Sequence, residues 1–264
     1  MTADPSPPGD LAAAQHAAMR WNAPLSSEHA ELLLDRLGLR PGEHVLDLGC
    51  GWGELLLRAV QRGGPGTTGT GVDVDAAALA RGTRLRRARG LDDRVEFVPA
   101  ASAAWRQPAD RVLCVGASHA WPGVAEALAA LAALVSPGGR LLFGEGCWER
   151  APAPAAAAVF GDEVIALTDI LEQAREAGWR VLHLSTADQR EWDDFEGTWR
   201  AGRQQWLLDH PAGARAEEVR DTLDAQQREY VETYRGVLGF CYLVLARERP
   251  PCTSAGGDAE SHVG

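Results

Sequence analysis

The chain has no lysine; all 26 of its basic residues are arginine. That excludes Schiff-base and pyridoxal-phosphate chemistry, which need a lysine amine, and the lysine-dependent phosphate loop of nucleoside triphosphatases. Long apolar runs are missing too: no stretch reaches the ~20 residues that cross a bilayer, and the N-terminus lacks a charged head followed by an apolar core. A cytoplasmic protein with no membrane partner is expected. The five cysteines, Cys50, Cys114, Cys147, Cys241 and Cys252, have no C-x-x-C spacing, and the seven histidines include no i, i+4 pair. Neither a metal site nor a disulfide framework is therefore expected. Positive charge is outweighed, 37 acidic residues against 26 basic giving a formal net charge of -11. Such a field repels polyphosphates, so nucleic acid is not an expected partner.

At 264 residues the chain suits one α/β domain with additions. A single domain over 1–264 is expected, with disordered tails over 1–9 and 250–264, N-terminal helices over 10–38 and a helical lid insertion over 188–235. The most informative stretch is His44 to Arg58. Val45-Leu46-Asp47-Leu48 reads as a buried strand, Gly49-Cys50-Gly51-Trp52-Gly53 as a loop of alternate glycines, and Glu54-Leu55-Leu56-Leu57-Arg58 as the start of an amphipathic helix. A backbone is brought close to a nucleotide-like ligand in this way. A dinucleotide fingerprint, G-x-G-x-x-G, would need glycine where Glu54 stands. Asp47 would repel a pyrophosphate but favour a cation or an amine. The expected ligand is an adenosine-containing cofactor without phosphates.

These residues resemble the first motif of the class I S-adenosylmethionine-dependent methyltransferases. The family's second landmark is an acidic residue closing the next strand, and Thr70-Gly71-Val72-Asp73-Val74-Asp75 supplies Asp73. The resemblance implies S-adenosyl-L-methionine as cofactor, held by Asp47, Gly49, Cys50, Gly51, Gly53, Asp73 and Val74, with Asp73 accepting hydrogen bonds from the ribose hydroxyls. Many relatives carry an acid after strand three for the adenine amino group; here Val98-Pro99-Ala100-Ala101-Ser102 leaves Ser102 or a backbone group to substitute. Further strands are read at Arg94–Val98, Arg111–Val115, Arg140–Glu145, Arg180–Leu184 and Gly239–Leu245, separated by helical stretches that include Val124–Leu134 and Glu163–Ala177. A turn, Ser136-Pro137-Gly138-Gly139, precedes the fifth strand. The implied fold is a doubly wound, mostly parallel, seven-stranded sheet.

Ligands of such sheets bind beyond the carboxyl ends of the strands, so Gly116-Ala117-Ser118-His119-Ala120-Trp121 should face the reaction. Family members that methylate exocyclic amines of bases resemble one another in an Asn/Asp-Pro-Pro-aromatic tetrad here, which this chain lacks. Gly116 leaves room beside the cofactor, Ser118 and Trp121 offer a hydroxyl and a wall to the substrate, and His119 is the candidate base, its residue type titrating near neutrality. A histidine that only orients the loop or stacks on adenine is the alternative. Glu145, ending strand five, is the second candidate catalytic residue; capping a backbone amide is its alternative role. Pro24 ends one expected helix, Leu11–Asn22, and Ser26 or Ser27 caps the next, through Leu37. Trp192, Phe195, Trp199 and Trp206 recur on one helical face, and Tyr230 and Tyr234 on the next. Trp21, Trp148 and Trp199 complete the expected substrate-binding set. Together these features point to an enzyme methylating O, N or C of a small-molecule acceptor, as monomer or homodimer, with no metal. A non-catalytic adenosyl-cofactor binder, a sensor or partner subunit, is the alternative, and a nicotinamide oxidoreductase conflicts with the glycine spacing.

Overall fold

The computed structural model describes residue 16 and residues 18–247. The expected tails, Cys252 and most of the first N-terminal helix lie outside the described residues. In chain order the elements are α1 (Ser27–Leu37), β1 (His44–Leu48), α2 (Glu54–Arg62), β2 (Thr68–Asp73), α3 (Ala76–Ala88), β3 (Val95–Pro99), β4 (Ala109–Val115), α4 (Val124–Ala132), β5 (Val135–Trp148), α5 (Pro154–Phe160), β6 (Ile165–Ala166), α6 (Leu167–Glu176), β7 (Trp179–Thr186), α7 (Gln189–Asp209), α8 (Ala216–Glu229) and β8 (Leu238–Arg247). A π-helical turn, Tyr230–Tyr234, joins α8 to the approach of β8.

The strand order is β3-β2-β1-β4-β5-β8-β7, with β6 paired to β5 off this path. β8 alone is inserted antiparallel, between β5 and β7. The chain winds outward from β1 to β3 and then returns to β4, so the switch point that hosts ligands in open α/β sheets lies between β1 and β4. Central strands are apolar on both faces because helices cover both. Leu33 and Leu34 of α1 and Leu56 and Val60 of α2 pack with Leu142 and Tyr242 on one face. Leu128 and Leu131 of α4 and Ile170 of α6 pack with Phe143 and Leu243 on the other.

Four local expectations are corrected. The Glu163–Ala177 helix begins only at Leu167, because Ile165 and Ala166 pair with Cys147 and Trp148. Pairing of β5 with β4 ends at Gly144, so the β5 overhang has backbone groups that β6 satisfies. The Ser136–Gly139 turn lies inside β5 as an irregularity between the Ala109–Val135 and Arg111–Arg140 pairs. Gly139 is required there, since a Cβ would come within 2.5 Å of the Asp110 carbonyl oxygen. Residues 18–25 are turns and bends rather than the end of a helix. Distant side chains claim the carbonyls a helix would use: Arg81 donates to His16 and Met19, Trp52 to Arg20, and Tyr242 to Pro24. The aromatic stripe is split as well. Trp192 and Phe195 join the sheet core, whereas Trp206 packs with Val219 and Leu223 of α8. The 21-residue α7 outruns the sheet edge, so its far half finds burial only against its hairpin partner.

Candidate active site

Gly49, Gly51 and Gly53 all take left-handed conformations, φ 71°, 54° and 70°, which cost other residues roughly 1–2 kcal/mol each. The loop is pinned at its base: the Gly49 and Cys50 amides donate to the Val72 carbonyl, and the Gly51 amide donates to Asp73 Oδ2 at 2.7 Å. Asp73 Oδ1 also accepts from the Asp75 amide at 2.8 Å. The glycines differ in what surrounds them. A Cβ at Gly49 would meet Ala117 at 2.3 Å and one at Gly53 would meet Phe97 at 2.5 Å, whereas at Gly51 nothing lies within 4 Å. Gly51 therefore turns its bare side to open space. Val74, 74% exposed, offers an apolar surface beside Asp73. Asp47 is buried, and burial, reinforced by Asp73, pushes its carboxyl up to about 8. Burial also raises the Cys50 thiol. Ser102 is buried at the start of a single 3-10 turn after β3.

These residues fit an adenosyl cofactor with a cationic end and no phosphates. A dry carboxylate with a raised pKa gains from a cation, an anchored carboxylate accepts hydroxyls, and a bare Cα leaves room for a ligand.

Gly116, φ 66°, closes β4 next to Phe240 and is exposed. Ser118–Ala120 forms a single 3-10 turn with Ser118 buried and His119 exposed. Glu145 stands beside it on the β5 overhang. Its Oε1 accepts the Gly146 amide at 3.0 Å, while Oε2 is buried with no partner among the described residues. Burial raises the Glu145 carboxyl, outweighing the opposing effects of Ser118, the Gly146 amide and His119. Ser118, His119 and Glu145 are thus brought together at the strand ends.

The five candidate substrate contacts are dispersed. Ser118 sits beside Glu145, Trp21 and Trp148 belong to the core face carrying α1 and α2, Trp121 packs on the opposite face, and Trp199 lies under the Arg203 guanidinium at 4.4 Å. Trp21 lines a cavity of about 200 Å³ between residues 18–25 and α7, shared with Glu191 and Phe195.

Several contributors are invisible in the sequence. Arg81 lies 4.2 Å from the Trp52 ring while donating to the His16 and Met19 carbonyls. Glu191 accepts the Ser26 and Asp188 amides and contacts His29 Nδ1 at 3.1 Å, while His29 Nε2 meets Ser185 Oγ at 2.7 Å. Asp188 and Glu191 form a local capping box, whereas Ser26 and His29, which also meet Glu191, are more than 150 residues away. Among the described residues no helix is long and apolar enough to cross a membrane, and no group of three or more His, Cys, Asp or Glu is arranged to hold a metal.

Residues 45–139, which carry the glycine loop, β2 to β4 and α4, match the family described as methyltransferase domain. The chain is 30% identical over 236 residues to the uncharacterized protein YjhP of Escherichia coli strain K12, covering 86% of this chain and 94% of that protein. It is 34% identical over 189 residues to the ubiquinone biosynthesis O-methyltransferase of Xanthomonas campestris pv. campestris, covering 65% of this chain and 78% of that one. A SAM-dependent methyltransferase from Thiobacillus denitrificans, solved with S-adenosyl-L-homocysteine, superposes with a TM-score of 0.81 at 30% identity, covering 92% of this chain and 99% of that one. The chain belongs to the class I S-adenosylmethionine-dependent methyltransferases, and S-adenosylmethionine is its cofactor.

Proposed function

We propose that the protein methylates O, N or C of a small, partly apolar metabolite, with oxygen as the leading acceptor atom. The observation that carries this reading is the enclosed space between the N-terminal segment and the α7 addition. Residues 18–25 and the α7 addition close around a cavity of about 200 Å³, a size suited to part of a small molecule and too small for a polymer segment. The similarity to a ubiquinone biosynthesis O-methyltransferase supports oxygen, as do the hydroxyl and base that Ser118 and His119 offer at the crevice.

Bound S-adenosylmethionine supplies an electrophilic methyl on a sulfonium. In this reading Asp47 ionises against the cationic end of the cofactor, Asp73 accepts the ribose hydroxyls, and Gly49, Cys50, Gly51 and Gly53 bring the backbone close. Val74 and Ser102 border the adenine, and Gly116 keeps the approach to the methyl open. His119 takes the proton of the acceptor as its nucleophile forms. Glu145, its carboxyl raised by burial, holds a polar group of the acceptor through the unpartnered Oε2. Trp21 and Trp148 help exclude water, with Trp121 and Trp199 as outer contributors.

The test is a metabolite screen with isotopically labelled methyl donor, read by mass. Labelled low-molecular-weight products support the reading; labelling confined to protein or nucleic acid refutes it.

A further inference from the structure

Residues 18–25 form one wall of the cavity that Trp21, Glu191 and Phe195 line. Both ends of this wall are held by groups distant in sequence. Toward α7, the Ser26 amide donates to Glu191 at 2.8 Å, and the Tyr242 hydroxyl donates to the Pro24 carbonyl at 2.9 Å. At the other end two side chains take three carbonyls. Trp52 Nε1 donates to Arg20 at 2.8 Å, while Arg81 donates to His16 at 2.7 Å and to Met19 at 2.5 Å. The Arg81 guanidinium also lies 4.2 Å from the Trp52 ring, so the two donors brace each other. Trp52 and Met19 are buried, which makes these bonds costly to leave unmade.

Both donors are mounted on Asp73. Trp52 stands between Gly51 and Gly53 of the glycine loop, and the Gly51 amide donates to Asp73 Oδ2 at 2.7 Å. Arg81 stands on α3, whose cap Asp75 receives the Ala77 and Ala78 amides while its own amide donates to Asp73 Oδ1 at 2.8 Å. The loop and α3 touch directly as well, since a Cβ at Gly82 would lie 2.9 Å from the Trp52 carbonyl oxygen. Each carboxylate oxygen has a second lone pair left for a ribose hydroxyl. A ligand on Asp73 and the loop thus stiffens the mounts of both donors at once, and through them the cavity wall.

We propose that Trp52 and Arg81 are positioning residues that couple the cofactor loop to the acceptor cavity. Cofactor binding at Asp73 and the glycine loop tightens the 16–21 end of the wall, so the acceptor site is fully formed only once S-adenosylmethionine is bound. This rests on the reading of that cavity as the acceptor pocket. The Trp52 indole N–H is committed to Arg20, so its part in the reaction runs through the wall.

The Arg20–Trp21 bond reports the state of the wall. Arg20 is exposed, but trypsin cuts there only when the backbone around it is released, at a rate that follows the open population. Cleavage of the full chain is followed by mass spectrometry with and without saturating S-adenosylhomocysteine. Cleavage after the exposed Arg215, in the turn between α7 and α8, is the control. The ligand is expected to slow cleavage at Arg20 at least about tenfold and at Arg215 about twofold or less. W52F keeps a ring beside Arg81 and loses the N–H donor; R81M keeps an apolar stem and loses both donors. In each, protection at Arg20 should fall to about threefold or less. Affinity for S-adenosylhomocysteine, measured by calorimetry, should fall by no more than the parent's protection factor, because coupling is reciprocal. A larger fall marks a direct ligand contact and overturns the positioning role. Unaltered cleavage at Arg20 when ligand is added to the parent overturns the proposal, as does equal protection at both bonds, the mark of global stabilisation. Full protection retained in either variant overturns it too. Should one variant fail to fold, the other is read by the same criteria. No acceptor enters this experiment, so its failure leaves the small-molecule reading standing, and failure of the metabolite screen leaves the response of the wall to cofactor intact.

Discussion

Replacing Asp47 by asparagine keeps the shape of a buried side chain and removes its ability to ionise. Burial beside Asp73 moves the Asp47 carboxyl from 3.8 to about 8. The folded state therefore holds a proton that the unfolded chain has released over about pH 4 to 8. The sign follows: with more protons bound in the folded form, stability falls as pH rises through that window, and the full penalty is present above about pH 8. At ~1.4 kcal/mol per unit the ceiling is roughly 6 kcal/mol, and dielectric relaxation around a buried site leaves about 2–4 kcal/mol. D47N should be more stable than the parent at about pH 8 by that amount, the gap closing toward about pH 4. The same variant should bind S-adenosylhomocysteine at least about tenfold more weakly, because the carboxylate proposed to answer the ligand's ammonium is gone. Urea denaturation at several pH values, with calorimetric titration of S-adenosylhomocysteine, measures both. Parallel stability curves for the two proteins, or unaltered ligand affinity in D47N, would refute the reasoning.

Gly49→Ala should destabilise by about 2–4 kcal/mol, summing a left-handed backbone and a Cβ 2.3 Å from Ala117, and thermal melting would register it. Glu191→Gln should cost about 1–3 kcal/mol at neutral pH through its amide contacts. Because the folded Glu191 carboxyl is drawn down to about 2 by His29, Ser26 and Asp188, against burial, its contribution is present above about pH 4.5 and lost as pH falls toward 2. E191Q and parent should then converge in acid denaturation. His119→Ala should lower kcat by about 10²–10⁴ with S-adenosylhomocysteine affinity unaltered, measured on whichever acceptor the screen returns; intact turnover would remove it as the base.

Much of the frame could be read from residue order. The buried β1 run, the alternate glycines and Asp73 are local patterns whose physics needs no partner: positive φ favours glycine, and parallel central strands are apolar throughout. Of the two serines read as candidate caps, Ser26 holds the N-terminus of α1, accepting from the His29 amide. Where local signals failed, a distant group had intervened. The helix forecast toward Asn22 gave way because Arg81, Trp52 and Tyr242 take its carbonyls, and the Glu163 helix lost its first turn to the overhanging edge of β5.

Sequence by itself determined the cofactor class and the order of the seven strands on the main path of the sheet, since both follow from hydrophobic period and from glycines whose conformations are set within a few bonds. Tertiary structure alone decided which aromatics meet. Trp199 and Trp206 share the helical spacing of Trp192, yet only Trp192 reaches the sheet core, because α7 extends past the edge that covers it. It alone also united Glu191 with His29 and Tyr234 with Phe160 and Glu196. Such contacts depend on how whole elements dock, and periodicity along one chain segment carries no record of that.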